Sequence, residues 1–207
     1  MHTAESAEIG IIGGTGLYDM EGIEDVHDVE LETPYGPPSS SIRLGRLYER
    51  DVAFITRHGP DHRLLPTEVP YRANIYALKM LGVSKILAAS AVGSMRYELP
   101  PRMLVVPDQF LDRTRHRPDT FFGDGLVGHV SMAEPFSEAM RQALIQAARD
   151  RGYEIAPEGT QICMEGPQFS TRAESLIWKG LGCDVIGMTG LTEARLAREA
   201  EIAYATL

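Results

Sequence analysis

The sequence predicts an α/β fold, a single domain in which a twisted, mixed but mostly parallel sheet is flanked by helices. Three observations support this expectation. Short apolar runs have the composition of buried strands, helical patterns alternate with those runs, and the chain length of 207 residues suits one domain. We therefore treat residues 1–207 as one domain.

The predicted elements of the N-terminal half begin with a buried strand at residues 8–12, which ends at two glycines. Residues 41–44 and 51–56 predict a pair of strands with a turn around residues 45–50. Residues 71–81 follow a proline and precede a glycine, which are the start and stop signals of a helix.

The remaining elements continue the alternation of strands and helices. Apolar runs at residues 85–92 and 103–106 predict two strands. The clearest helix begins after Ser137, a suitable capping residue, and ends at Gly152. The last five elements are a strand at 160–164, a helix at 171–179, a strand at 184–188, a helix at 192–200 and a strand at 202–207.

Composition excludes several classes of function. The chain has 20 Lys and Arg against 29 Asp and Glu, a net charge of −9, which disfavours nucleic acid as a partner. No apolar run approaches the roughly 20 residues of a membrane span, so no membrane association is expected. The polar N-terminus does not resemble a signal peptide, and two cysteines cannot build a disulfide framework. These features favour the reducing cytoplasm.

The turn at residues 13–16 (GGTG) directly follows the first predicted strand. Glycines let backbone N–H groups point at an anion, and Thr15 adds a hydroxyl donor. The spacing matches neither the dinucleotide fingerprint nor the P-loop. An anion cradle and a plain tight turn both remain open.

Residues 57–63 (RHGPDHR) form a basic segment in an acidic protein. Arginine donates to phosphate in a bidentate fork, so Arg57 is a candidate anion ligand, although a solvated loop is the alternative. His58 and His62 have the spacing of a helical metal pair. Because Gly59 and Pro60 between them disfavour a helix, we expect no metal site.

Three more candidates follow predicted strands: Ser90 with its neighbours, the loop 165–172 and the loop 187–190. In the second, Phe169 either stacks on a planar base or anchors the loop on the core. In the others, hydroxyls and backbone N–H groups suit an anion, with packing and ordinary capping as alternatives. We expect residues 112–117 to be a solvated surface run and Trp178 to be a core or interface residue.

The carboxyl ends of parallel strands meet at one edge of a sheet, where ligands bind in open α/β sheets. That edge would combine an anion cradle, a basic loop, hydroxyls and an aromatic ring. Such a combination suits a phosphate beside a planar ligand that carries a sugar.

Several long motifs, in order, resemble those of the trimeric purine nucleoside phosphorylases, and most closely the S-methyl-5′-thioadenosine phosphorylases. The resemblance runs from about residue 9 to residue 207. Its motifs are residues 9–17 (IGIIGGTGL), 56–59 (TRHG), 71–74 (YRAN) and 165–175 (EGPQFSTRAES).

The resemblance implies that phosphate attacks C1′ of 5′-methylthioadenosine and releases adenine and 5-methylthioribose 1-phosphate. The transition state would resemble an oxocarbenium ion, as in glycosidases. It also implies a cytoplasmic homotrimer that needs no cofactor and no metal, with inorganic phosphate as co-substrate.

The resemblance also assigns site residues. Phosphate would be bound by Thr15, Arg57, His58, Ser90, Ala91 and Thr189. The nucleoside would be bound by Gly93, Phe169, Met188 and His129, with His129 reaching a neighbouring subunit.

Two departures from the family pattern leave alternatives open. The family's base-reading Asp loop and C-terminal helix would follow residues 202–207, and this sequence does not contain them, so we expect a C-terminally incomplete fold without an assigned catalytic residue. Gly190 stands where adenosine-specific members carry a bulkier residue. A purine nucleoside phosphorylase acting on 6-oxopurine nucleosides or methylthioinosine, and a non-catalytic nucleoside- or phosphate-binding protein, are the alternatives; a Rossmann dehydrogenase is a weaker one.

Overall fold

The computed structural model describes residues 5–14 and 22–207, which contain twelve strands and four α-helices. The strands are β1 (Ile9–Gly13), β2 (Glu24–Val29), β3 (Ile42–Leu47), β4 (Arg50–Thr56), β5 (Lys85–Ala88), β6 (Gly93–Ser94), β7 (Leu104–Val105), β8 (Gln109–Arg113), β9 (Ile155–Ala156), β10 (Thr160–Met164), β11 (Val185–Gly187) and β12 (Ala203–Thr206). The helices are α1 (Tyr71–Met80), α2 (Glu138–Asp150), α3 (Arg172–Gly180) and α4 (Gly190–Glu199).

The first sheet has six strands in the order β12-β5-β1-β4-β3-β2. Its four strands β12, β5, β1 and β4 run parallel, whereas β3 and β2 pair in antiparallel fashion at one edge. This arrangement confirms the predicted α/β fold with a mixed, mostly parallel sheet. The carboxyl ends of four parallel strands lie side by side.

The remaining strands form a second sheet rather than extending the first. Its order is β6-β11-β10-β8, with β11, β10 and β8 parallel and β6 antiparallel, and β7 pairs separately with β9. The sequence predicted these strands but not their division between two main sheets. Sequence periodicity predicts where strands occur, but pairing depends on contacts between distant segments.

The predicted strand pair at residues 41–44 and 51–56 is a tight hairpin of β3 and β4. Its turn is shorter than expected, because Gly45 already pairs with Val52 inside the sheet. Tyr48 and Glu49 form the turn with φ angles of 46° and 64°. Two positive φ angles match the twist of a hairpin with a two-residue loop.

The main hydrophobic core lies between the first sheet and the helices. Ile12 and Ile55 from the strands pack with Leu78 of α1 and Leu196 of α4, and all four are fully or almost fully buried. A smaller core under the second sheet contains the buried Trp178, as the sequence predicted. Burial of this kind is the main driving force of folding.

Helix boundaries agree with the sequence to within a few residues, but the capping differs. Ser137 stands at the N-cap of α2 without a side-chain capping bond. Thr171 caps α3 instead, in a reciprocal capping box with Glu174. Across residues 5–14 and 22–207, the helices all fall short of the length and apolar character that crossing a membrane requires.

Candidate active site at the carboxyl edges of the two sheets

The loops that follow the parallel strands of the first sheet are joined by backbone hydrogen bonds. The N–H of Arg57, after β4, donates to the carbonyl of Gly13 at the end of β1 over 3.0 Å. The N–H of Ser90, after β5, donates to the carbonyl of Leu207 after β12 over 3.1 Å. The structure therefore brings several predicted strand-end turns together.

A cavity of about 610 Å³ lies at this edge, and its lining includes Gly14, Ser90, Ala91 and Leu207. Ser90 is half-buried and Ala91 is exposed, so both face accessible space. Thr15, the expected hydroxyl donor of the first turn, lies outside the described residues. The part of the turn that is described therefore reaches the same cavity as Ser90 and Ala91.

Arg57 lies beneath this edge with its side chain only 3% exposed. Its Nε and Nη2 both donate to the carboxylate of Glu193, and its Nη1 donates to the carbonyl of Ala89 over 3.0 Å. Tyr204 also donates its hydroxyl to Glu193, over 2.9 Å. Burial alone would lower the pKa of Arg57, but the Glu193 carboxylate outweighs it and raises that pKa above its usual range, so the guanidinium is charged.

Thr189 begins the helix that carries Glu193. It is buried at the N-cap position of α4, yet its side chain makes no capping hydrogen bond. Since Arg57 binds Glu193 one turn further along α4, the ion pair connects the edge of the first sheet to the loop after β11. Two predicted phosphate ligands, Arg57 and Thr189, are thus held by the same helix.

His58 is half-buried and has a fixed orientation. Its Nδ1 lies 2.8 Å from the carbonyl oxygen of Leu64, so Nδ1 carries the proton and Nε2 is free for a ligand. The His58 ring stacks on that of His62, with ring centroids 4.3 Å apart. Burial, aided by the neighbouring His62 and Arg57 side chains, lowers the pKa of His58 below its usual range and outweighs the hydrogen bond to Leu64 and the Glu193 carboxylate, which raise it.

Arg117 contradicts the expectation that residues 112–117 form a solvated surface run. Its side chain is only 1% exposed, and Nε donates to Glu165 over 3.0 Å. Nη1 donates to the Tyr71 hydroxyl, to the Met188 carbonyl and to the Thr192 hydroxyl. Arg117 therefore ties α1 to the ends of β10 and β11, and nothing in its local sequence distinguishes it from its exposed neighbours.

Glu165 is held by this arrangement. Its carboxylate accepts the backbone N–H groups of Arg115 and His116 as well as the Arg117 guanidinium. Partial burial opposes ionisation, but these hydrogen bonds outweigh it and lower the pKa of Glu165. The carboxylate is therefore ionised at neutral pH.

Met188 packs against the loop that follows Glu165. Gly166 has a φ angle of 72°, which favours glycine, and a Cβ atom added there would lie 2.8 Å from the Met188 sulfur and push this side chain aside. Met188 is half-buried and its carbonyl is bound by Arg117. The ends of β10 and β11 are consequently packed against each other.

Phe169 lies at a second cavity of about 300 Å³, whose lining also includes Glu165, Ser170, Trp178 and Arg113. Its ring is 84% exposed, so the alternative that it anchors the loop on the core was wrong. An exposed aromatic ring beside a cavity is placed to stack on a planar ligand.

Three residues singled out by sequence stand apart from both cavities. Gly93 lies in β6, where an added Cβ atom would be 2.8 Å from Ile186, so strand packing explains this glycine. His129 is exposed between β8 and α2 and lines neither cavity. A Cβ atom at Gly190 would be 3.1 Å from the ring of Phe110, so packing also accounts for its small size.

The side chains of the described residues do not form a metal site. In that part of the chain, no group of three or more His, Cys, Asp or Glu residues has an arrangement that could bind a metal ion. His58 and His62 lie in and beside a short 3₁₀ turn, Pro60–His62, with their rings stacked on each other.

Comparison with known proteins agrees with this geometry. Residues 8–207 match the phosphorylase superfamily. The chain is 54% identical, over 97% of its length and 69% of the relative's, to S-methyl-5′-thioadenosine phosphorylase of Gloeobacter violaceus. Among solved structures, it is similar to a methylthioadenosine phosphorylase from an antarctic soil metagenomic library, with a TM-score of 0.96 and 53% identity over 98% of this chain and 71% of that chain.

A second solved structure is the methylthioadenosine phosphorylase of Schistosoma mansoni in complex with adenine. Its TM-score is 0.92 with 40% identity, over 97% of this chain and 80% of that chain. The match in sequence and the match in structure both span almost the whole of this chain. The protein therefore belongs to the phosphorylase superfamily.

Proposed function

We propose that this protein catalyses the phosphorolysis of 5′-methylthioadenosine to adenine and 5-methylthioribose 1-phosphate. The observation that carries the proposal is the 54% identity, over 97% of the chain, to a relative named S-methyl-5′-thioadenosine phosphorylase. The geometry described above supports a mechanism for this reaction. In it, an oxygen of phosphate forms a bond to C1′ while the bond from C1′ to the adenine nitrogen breaks.

Phosphate would be bound at the edge of the first sheet. Three of the five N–H groups of Arg57 are engaged by Glu193 and Ala89, which leaves two to donate to a phosphate oxygen. Among the described residues, the Nε2 of His58 and the hydroxyl of Thr189 have no hydrogen-bond partner, so both can add contacts to phosphate. The full proposed set is Thr15, Arg57, His58, Ser90, Ala91 and Thr189.

The nucleoside would lie between this edge and the second cavity. Met188 would contact the ribose, and Phe169 would stack on the adenine. Gly93 lines neither cavity but follows Val92, which lines the first, and would contact the nucleoside through its backbone. Fixed positions matter because an oriented nucleophile avoids much of the entropic cost of a bimolecular reaction. Arg117 contributes by holding the carbonyl of Met188 in place.

The proposal extends to a cytoplasmic homotrimer that needs no cofactor. Leu176, Ile177 and Leu181 on and after α3 are 64%, 61% and 64% exposed, and such an apolar patch is typical of an interface between subunits. His129 would reach the nucleoside of a neighbouring subunit. Both Cys163 and Cys183 are free thiols, which suits a reducing compartment. Light scattering of the purified protein tests the assembly: a trimer mass supports it, and a monomer contradicts it.

The experiment that tests the reaction uses the full-length protein with 5′-methylthioadenosine in the presence and absence of inorganic phosphate. We expect adenine to be released only with phosphate, together with one equivalent of sugar phosphate. Release without phosphate would indicate a nucleosidase, and binding without release would indicate the non-catalytic alternative. Faster turnover of methylthioinosine would indicate the 6-oxopurine alternative.

A further inference from the structure

The stacked pair of His58 and His62 contains one ring that the proposed function does not use. The ring planes are inclined by only 19° and the centroids are 4.3 Å apart. His62 is exposed, and across residues 5–14 and 22–207 its imidazole makes no hydrogen bond. Stacking on His58 is the ring contact that this side chain makes in the described part of the chain.

The backbone that presents His62 is strained. Gly59, Asp61 and His62 have φ angles of 73°, 57° and 55°, and two of these three residues carry a side chain. Residues other than glycine rarely adopt positive φ, and such positions cluster where a site requires them. The turn is closed by a hydrogen bond from Arg63 Nε to the carbonyl of Pro60 over 3.1 Å.

His58 is held by two hydrogen bonds, one through its backbone and one through its ring. Leu64 binds it twice, because the Leu64 N–H donates to the His58 carbonyl over 3.0 Å and the Leu64 carbonyl accepts from Nδ1 over 2.8 Å. These bonds fix the tautomer and one edge of the ring. They do not fix the ring plane or cover its exposed face, which is where the His62 ring lies.

We propose that His62 is a positioning residue for phosphate, which acts by stacking on His58 and keeping its free Nε2 in one orientation. This inference rests on the proposed function, since it takes His58 to be a phosphate ligand. The strained turn at residues 59–63 then places the His62 ring on the His58 ring. His62 itself does not contact phosphate.

The test separates the ring from the backbone. His62→Asn keeps a residue type that tolerates positive φ but removes the ring, and His62→Phe keeps a flat ring without a titratable group. His27→Ala, an exposed histidine of β2, is the control. We expect His62→Asn to raise the KM for phosphate about three- to tenfold, as loss of a stacked aromatic pair predicts, with a smaller change in the KM for nucleoside. His62→Phe should restore most of the phosphate affinity.

A second measurement does not depend on catalysis. Besides His62, the charged groups that act on His58 are Arg57 and Glu193. Titration of the His58 imidazole by NMR should show its pKa rising in His62→Asn and rising less in His62→Phe, because Phe still shields the ring from water. Calorimetric titration with inorganic phosphate should show the same order of affinities.

The outcomes are distinct. The proposal is overturned if His62→Asn changes the KM for phosphate by less than about twofold, or if His62→Phe keeps the wild-type melting temperature and is impaired as much as His62→Asn. The melting temperature is measured because Phe at a positive φ angle can strain the turn. A wild-type protein without phosphorolysis would refute the proposed function instead. In that case phosphate calorimetry decides: weaker phosphate binding in His62→Asn supports the positioning role, and unchanged binding overturns it.

Discussion

Arg57 at the end of β4 is bound through two nitrogens to the carboxylate of Glu193 on α4, although 136 residues separate the two in sequence. Both side chains are almost completely buried. The ion pair connects the strand ends of the first sheet to α4, the helix that begins after Thr189. The position of a phosphate bound between these segments would depend on this ion pair.

Replacement of Glu193 by Gln should destabilise the protein. A buried guanidinium would lose its only described counter-charge, and breaking a buried pair typically costs about 3–5 kcal/mol in the free energy of unfolding. Urea denaturation measures this change. Glu8→Gln is the control, because Glu8 pairs with Arg50 and Lys85 on the exposed surface. Equal stabilities of the two variants would show that the buried ion pair contributes no more to the free energy of unfolding than the exposed one.

Replacement of Arg117 by Met should weaken nucleoside binding. It would leave the carbonyls of Glu165 and Met188 without their donor, which costs about 1–3 kcal/mol for each buried unsatisfied group. We expect a lower melting temperature and a higher KM for 5′-methylthioadenosine. Arg149→Met, at an exposed position of α2 that lines neither cavity, should change neither quantity. Indistinguishable kinetics of the two variants would contradict the role of Arg117.

Replacement of Phe169 by Ala should affect binding without affecting stability. The ring is 84% exposed, so its loss removes little core packing. Stacking of a base on an aromatic side chain is worth about 1–3 kcal/mol, so the KM for the nucleoside should rise about tenfold or more. Phe169→Tyr, which keeps the ring, serves as the control. A lower melting temperature with an unchanged KM would mean that the ring packs on the protein rather than on the base.

The lowered pKa of Glu165 predicts a pH dependence of stability. Since the folded protein holds this carboxyl below its unfolded value of 4.5, its contribution is fully present above about pH 4.5 and is lost as the pH falls through the folded pKa. The stability difference between wild type and Glu165→Gln should therefore shrink on acidification from pH 7 toward pH 3. Denaturant titrations of both proteins between pH 7 and pH 3 measure this difference. A difference that does not vary with pH would refute the assignment.

Local sequence signals account for most of the elements that position the site. The buried strand β1 is a continuous run of isoleucine and glycine, and its carboxyl end is marked by two glycines. β2 (Glu24–Val29) was not predicted, because it is an edge strand in which every residue but Val29 is exposed, so it lacks the apolar pattern of a strand. The predicted strand at 85–92 ends early, at Ala88, because Ser90 and its neighbours turn into the cavity.

The contacts that shape the site could not be predicted in the same way. Arg117 looks like its exposed neighbours, because its partners Glu165 and Met188 lie 48 and 71 residues away. Arg57 was predicted as an anion ligand from its chemistry, but its pairing with Glu193 depends on how two sheets and a helix pack. Such pairings appear only when the tertiary structure is known.

The central claim is that turns at one edge of the first sheet converge on a single phosphate. A crystal structure of the full-length protein grown with inorganic phosphate tests it most directly. We predict one phosphate within hydrogen-bonding distance of Arg57, Ser90 and Thr189. Phosphate bound only beside Arg113 and Phe169 in the second cavity, or absent from both cavities at saturating concentration, would contradict the claim.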